Sequence, residues 1–336
     1  LLNDTSDSVR LYYQKTNYHE LWYLDENRKA LLSEIKKCSE EGLNPADYDY
    51  ETLKKLEENR KTLSEEKQIA YDIVLTQSFE KFALHLFKGK LNPKTLYANW
   101  DLHPKEIALS GYLLKALKEQ KIASTFTELK PNHIVYQLLK KSLIRLDAIP
   151  DIPFSTISSS KNKIQLNDTL PELVKIKKRL VYWNDYTNPD SIFTWAYDSI
   201  TYKGVKKFQK RHGLIPDGVI GKGTIYALNF TKSERRAQIF ANLERWRWYP
   251  NDLGDQYLIV NLPEYSLNYV FQKDTIATHK VVVGTAKRRT PILSSKLSNI
   301  VFNPTWTIPP TIIKEDLKTN AASNRSYFAA RRLTIY

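Results

Sequence analysis

Of 336 residues, 42% are hydrophobic and 26% charged, the balance of a globular chain with room for two or three domains. No run approaches the roughly 18 consecutive apolar residues of a membrane span; the one cysteine, Cys38, excludes an internal disulfide framework or a multi-Cys metal site, and the six histidines lack an HExxH spacing, so neither metal nor cofactor is expected. The formal charge of +14 lies in short clusters such as Lys175-Ile176-Lys177-Lys178-Arg179 and Lys287-Arg288-Arg289, which favours a polyanionic partner; no RNP, KH, zinc-finger or basic-zipper pattern accompanies it, so nucleic acid is not the expected one.

The chain opens on Leu1-Leu2-Asn3-Asp4-Thr5, without the basic-then-apolar order of a secretory signal, and contains no Met even at position 1, which points to a trimmed chain. From Ser8 to about Leu146 apolar residues recur at threes and fours, predicting one all-α domain over residues 1–150. Cys38 shares a helical stripe with Leu31 and Ile35, where a small buried hydrophobe belongs rather than a reactive thiol. Gly42 stops a helix, Asn44-Pro45-Ala46-Asp47-Tyr48 turns into the next, and a long stripe through Ile69, Ile73, Leu75, Phe79, Phe82, Leu86 and Phe87 runs to Gly89. A further helix from about Asn132 carries Val135, Leu138, Leu139, Leu143 and Leu146.

Residues 151–163 are Pro- and Ser-rich without a period and read as a linker. Residues 164–230 then read as a small helical module. Leu173, Ile176 and Leu180 form one stripe and Val205 and Phe208 the facing one, with an elongated loop from Trp183 to Ala196 that includes Asn188-Pro189-Asp190. Gly213 stands where a helix end needs a left-handed residue, and Asp217-Gly218 makes a tight turn before a last helix. A connecting helix over residues 231–255 starts at a capping box, Thr231 with Glu234, and carries Ile239, Leu243 and Trp246 toward Pro250. From residue 256 the period changes to two: Tyr257-Leu258-Ile259-Val260, then Leu267, Tyr269 and Phe271, a turn at Gln272-Lys273-Asp274-Thr275, His279 to Gly284, and Ile300-Val301-Phe302 read as strands.

The string Phe208-Gln209, His212-Gly213-Leu214, Asp217-Gly218, Gly221, Thr224, Leu228 resembles the helical peptidoglycan-binding domain of bacterial cell-wall enzymes. Together with Glu41-Gly42-Leu43-Asn44-Pro45-Ala46-Asp47-Tyr48, Asn242-Leu243-Glu244-Arg245-Trp246-Arg247-Trp248, Val283-Gly284, Thr290-Pro291 and Asn303-Pro304-Thr305-Trp306-Thr307-Ile308-Pro309-Pro310, it makes nearly the whole chain resemble the large periplasmic L,D-transpeptidases. The resemblance implies a multidomain α+β protein: an all-α scaffold, a helical peptidoglycan-binding module, and over residues 256–336 part of a β-rich YkuD-type catalytic domain with the start of its groove-covering insertion.

It also implies acyl transfer by a cysteine thiolate, which attacks the carbonyl between diaminopimelate and terminal D-Ala of a stem peptide, releases D-Ala, and passes the acyl group to an amine of another stem. The family's Ser-His-Gly-Cys or Ser-Gly-Cys motif does not occur here and is expected beyond Tyr336. Neither Cys38 nor His279 can take its place, so these residues alone are expected to be catalytically silent. The implied partners are stem peptides and glycan, the implied location the periplasm or cell envelope, and the full-length protein would be anchored, if at all, by a segment outside this sequence. Trp306 and Tyr257 are the candidates to line the substrate cleft, with core packing as the competing reading for both. His212 and Asp217 are the candidates for wall contact in the module, through exposed backbone donors of the 217–221 turn. The alternative function is a non-catalytic wall-binding or scaffolding protein.

Overall fold

The computed structural model describes residues 2, 5–187, 192–324 and 326–334. The Asn188-Pro189-Asp190 stretch and the closing Ile335-Tyr336 lie outside them. The chain divides into a unit of residues 1–292 and a smaller one of 293–336. The N-terminal region is all-helical and a short β-sheet follows it, as the sequence predicts.

Among the described residues eight α-helices build the scaffold: α1 (Asp7–Lys15), α2 (Asp25–Lys36), α3 (Tyr50–Glu58), α4 (Glu65–Lys88), α5 (Pro93–Leu96), α6 (Leu109–Glu119), α7 (Ile122–Leu129) and α8 (Ile134–Asp147). The 24-residue α4 is its axis: it contains no Gly or Pro, begins with Glu65 and Glu66 at the positive end of the helix dipole, and buries Phe79, Phe82 and Leu86. Phe126 of α7 meets Phe79 and Phe82 at centroid distances of 5.0 and 4.7 Å, offset contacts that add to the area they bury. A carboxylate sits in this core with its lone pairs used: Asp72 accepts from Tyr13 Oη at 2.8 Å, Leu21 N at 3.1 Å and Trp22 N at 2.7 Å, bonds that offset part of the burial that still pushes its carboxyl above the ordinary value. Cys38 is buried, as expected, although in a 3₁₀ turn (Cys38–Glu41) just past α2, closed by left-handed Gly42.

The helical module has its own core, formed by α9 (Glu172–Tyr182), α10 (Ser199–Arg211) and α11 (Lys222–Leu228). Leu173, Ile176, Leu180, Val205 and Phe208 are all buried in it. Leu146 of α8 and Ile157 belong to the same core. The 151–163 stretch has no helix or strand, yet it is clamped: Ile157 N donates to Asn229 Oδ1 at 2.8 Å and Asn229 Nδ2 returns to Ile157 O at 2.9 Å. From the module, α12 (Lys232–Trp248) starts at the Thr231/Glu234 capping box and packs on α8 and α4.

β1 (Gln256–Asn261), β2 (Ser266–Phe271) and β3 (Asp274–Lys280) form an antiparallel meander in the order β1-β2-β3, with Leu258 opposite Tyr269 and Leu267 opposite His279. Gln272 and Lys273, both at positive φ, make the two-residue hairpin turn whose twist suits the flanking strands. Two expected strands are absent among the described residues. Val281 to Gly284 leaves the ladder after one bond, Val281 N to Tyr265 O at 2.9 Å. Ile300-Val301-Phe302 is not a strand but exposed chain; β-rich composition alone does not make a strand when no neighbouring chain takes up its backbone groups. In the 293–336 unit, short helices at Pro310–Ile312, Lys318–Ser323 and Tyr327–Ala330 follow.

Candidate functional site

Two places gather the chemistry of this chain: the turn region of the helical module, and the join between scaffold, α12 and sheet.

In the module, α10 is N-capped by Asp198, whose Oδ1 accepts from Thr201 N at 2.7 Å, while its Oδ2 receives the buried Lys177 ammonium at 3.0 Å. The helix ends at His212 and left-handed Gly213. Gln209, 1% exposed, organises the following turn from within. Its Nε2 donates to Asp217 Oδ1 at 3.1 Å, Val219 O at 2.9 Å and Thr224 Oγ1 at 3.2 Å, and its Oε1 accepts from Gly218 N at 2.8 Å. Asp217 Oδ1 also accepts from Val219 N at 2.8 Å, closing an Asx turn. Ile220 N donates to Ile164 O at 2.9 Å and Gly221 N to Val219 O at 3.1 Å. The backbone donors of residues 218–221 are therefore all engaged inside the module. Gly218 has φ +76° and no room for a side chain, since a Cβ would fall 2.1 Å from Tyr202 Cε2.

His212 packs against Phe208 with ring centroids 4.2 Å apart. Its Nε2 is buried without a partner among the described residues. Burial, then the charges of Arg235 and Arg211, pull its pKa down to about 3, so it is a neutral ring at any ordinary pH. Gln209 stands in the sequence only as a member of the Phe208-Gln209 string; its hold on the turn that begins eight residues later, at Asp217, has no local signal beyond that.

At the join, Glu244 and Arg247 of α12 reach into the scaffold. Arg247 is fully buried. It donates to the Glu41 carbonyl, to Tyr136 Oη at 3.1 Å and to Glu244 Oε2 at 3.1 Å. The Glu41 carboxylate accepts from Tyr136 Oη at 2.6 Å and pairs with Lys130 at 3.0 Å and with Lys140. Burial would raise the Glu41 carboxyl, but Lys130, Lys140 and the Tyr136 bond together hold it below its ordinary value. Glu244 Oε1 accepts from Leu91 N at 2.7 Å and Trp248 Nε1 at 3.2 Å, and the chain passes so close that only a glycine, Gly89 at φ +86°, fits beside it. Lys105 lies across the ends of two helices, donating to the carbonyls of Phe87 and Arg247 and to Asn251 Oδ1, under the Phe87 ring at 4.4 Å. Burial, and Arg247 beside it, bring its ammonium down to about 7.

Tyr257 of β1 is drawn into this join. Its hydroxyl is 2.9 Å from His133 Nε2, and the His133 ring stacks on Trp246 at 4.1 Å and 16°. The loop after the sheet returns to the scaffold as well: Asn99 Nδ2 donates to Thr290 O at 2.6 Å and Ile292 N to Asn99 O at 2.9 Å. Gly284 N donates to Thr290 Oγ1 at 2.7 Å, and a Cβ on Gly284 would fall 2.0 Å from Arg288 O. The Val283-Gly284 and Thr290-Pro291 blocks therefore pair in one tight loop. Trp306, in the other unit, is 67% exposed. The structure thus brings Gln209, His212 and Asp217 together in the module and Tyr257 together with His133; Trp306 belongs to the 293–336 unit.

No cysteine stands at either place among the described residues. Cys38 is the only cysteine; burial first, and Asp47 second, push its thiol up to about 12, far from the thiolate range.

Three families match along the chain: the scaffold domain over residues 7–143, the putative peptidoglycan-binding domain over 169–228, and the L,D-transpeptidase catalytic domain, YkuD, over 255–334. The last region contains no cysteine. Among curated proteins, the chain is similar to a putative L,D-transpeptidase of Haemophilus influenzae, 41% identical over 78 residues, which are 23% of this chain and 16% of that protein. The matched stretch thus spans about a sixth of the relative's length.

Proposed function

We propose, from a chain that carries in order the scaffold, peptidoglycan-binding and YkuD domains of the L,D-transpeptidases, that the full-length protein cross-links peptidoglycan in the cell envelope by cysteine acyl transfer. The observation that carries this reading is the match over 255–334, strengthened by the Gly284–Thr290 loop held against the scaffold at Asn99. The reaction is attack of a thiolate on the stem-peptide carbonyl next to D-Ala, expulsion of D-Ala, and capture of the acyl group by a second stem's side-chain amine. The thiolate comes from sequence outside these 336 residues. Within them, exposed Trp306 is the candidate to line the cleft; Tyr257 sets the sheet against the scaffold through His133; His212 and Asp217 shape the wall-binding module.

Intact-mass measurement after carbapenem treatment tests the assignment. The 336-residue form is expected to remain unmodified and the full-length protein to gain one adduct on a cysteine of its catalytic domain. An adduct on Cys38, or D-Ala release from disaccharide-tetrapeptide by the 336 residues alone, would overturn it. The absence of a cysteine from residues 255–334 favours one other reading, a non-catalytic wall-binding protein. Full-length protein that binds sacculi but releases no D-Ala would establish that reading instead.

A further inference from the structure

The 217–221 turn has no backbone donor left for a ligand, which turns attention to a second face of the module. Among the described residues of the module, a concave polar surface there has the right chemistry. Ser159, Lys161 and Asn162, from the segment that enters the module, face Lys222, Ile225 and Tyr226 of α11 across a cavity of about 270 Å³. Tyr226 is 70% exposed, yet its ring is held, edge to face on Phe230 at 5.1 Å and 89°. An aromatic ring fixed in water offers a flat apolar face at small entropic cost.

The charges of the cavity are not equivalent. Lys161 is neutralised by Asp168 at 2.6 Å. Lys222 makes no hydrogen bond or ion pair among the described residues, nor does the Asn162 side chain. The cavity therefore presents one uncompensated ammonium, one free carboxamide and one exposed ring. A volume of about 270 Å³, open to solvent on one side, has room for a single sugar residue of a polymer.

We infer that this cavity is a carbohydrate subsite for an N-acetylated amino sugar bearing a carboxylate, with Tyr226 against the pyranose face, Asn162 on the acetamido group and Lys222 on the carboxylate. The inference rests on the wall-binding reading above and gives it a place. A carboxylate beside such a sugar has two sources, the lactyl group of the sugar itself and the stem peptide attached to it, and the ligands of the test separate them.

The whole 336-residue chain is titrated by NMR or calorimetry with the N-acetylglucosaminyl-N-acetylmuramic acid disaccharide, with its tetrapeptide form, with chitobiose and with the free tetrapeptide, and is co-sedimented with sacculi. Both carboxylate-bearing saccharides are expected to bind, with chitobiose at least fivefold weaker and the peptide alone weaker still. Weaker binding of the tetrapeptide form assigns the lactyl carboxylate, which the amide to the stem replaces in that form, and equal or tighter binding assigns a carboxylate of the stem; both sustain the subsite. Tyr226→Ala is expected to weaken binding at least fivefold and Lys222→Gln about threefold with a flatter salt dependence, without change in melting temperature; Asn162→Ala supplies a third, independent variant should Tyr226→Ala disturb folding. Sacculus binding by wild type that survives all three variants would overturn the subsite and leave the wall-binding reading standing. Chitobiose binding as well as the carboxylate-bearing saccharides, or free peptide binding as well as they do, would overturn the assigned chemistry. No wild-type binding to sacculi would overturn both.

Discussion

Replacing Arg247 by Met tests whether α12 is locked into the scaffold by its buried guanidinium. Arg247 is fully buried and donates to the Glu41 carbonyl, Tyr136 Oη and Glu244 Oε2. Met fills much of the volume but offers no donor, so Glu244 keeps a mostly buried charge with no cation against it. Breaking a buried pair from one side costs about 3–5 kcal/mol. For a unit of this size each kcal/mol is worth about 2–4 °C, so a fall of roughly 6–20 °C in thermal melting, followed by tryptophan fluorescence, is expected. Arg245, two residues earlier and on the other side of the same helix, bonds to Tyr97 Oη and Asn242 in an exposed setting, and Arg245→Met should cost at most about 0.5 kcal/mol. Adding Glu244→Gln to Arg247→Met should recover part of the loss, because it removes the stranded charge while keeping an acceptor for Leu91 N. Equal melting of the two arginine variants, or strict additivity in the double variant, would refute the reasoning.

Three further outcomes follow from the same geometry. Glu41, held below its ordinary value of 4.5 by Lys130 and Lys140 against the effect of burial, stabilises the fold fully above that value and loses the contribution as pH falls through the lower folded value; urea melts of Glu41→Gln between pH 5 and 3 should fall less steeply than those of wild type. His212, neutral down to about pH 3 in the fold because burial and then Arg235 and Arg211 disfavour its charge, protonates near 6.5 when unfolded, so stability drops as pH falls from 6.5 toward 3; His212→Phe should flatten that decline, and an unchanged slope would count against a buried neutral ring. Gly218→Ala must both hold φ +76° and place a methyl 2.1 Å from the Tyr202 ring, whereas Gly213→Ala at φ +69° meets open space; the first should cost about 2–5 kcal/mol and the second about 1–2 kcal/mol in denaturant unfolding, and the reverse order would contradict the packing of the turn.

What was legible in the sequence was local. The Thr231/Glu234 box, left-handed Gly42 and Gly213, the burial of Cys38 and the period-two run at Tyr257 each depend on residues within a few positions of one another. What was not legible joins residues far apart. Arg247 meets Glu41 across 206 positions and His133 meets Tyr257 across 124, and no periodicity encodes either. Gln209 is visible in the sequence only as the second member of the Phe208-Gln209 pair, but it lies at the helix end where the chain folds back and its four hydrogen bonds replace a strand partner for the 217–221 turn. Ile300-Val301-Phe302 failed the opposite way: the local preference is strong, but a strand is a relation to a neighbour, and among the described residues none is there.

The long-range contacts converge on α12, and their distribution says what the helix does. At its N-terminal end Lys232 Nζ donates to Asp147 O at 3.1 Å, Arg236 pairs with Asp147 at 3.3 Å, and Arg235 donates to Ala227 O at the end of α11. At its C-terminal end Trp246 lies on His133, Arg247 is enclosed, and Lys105 holds Arg247 O and Asn251. No Gly or Pro interrupts residues 232–248, so the helix has no hinge of its own. At ~1.5 Å per residue its 17 residues span roughly 26 Å. A helix pinned at both ends and stiff between them is a strut. A ligand bound at the proposed Lys222 and Tyr226 subsite, one short helix before it, would be held at a set distance from the sheet that follows.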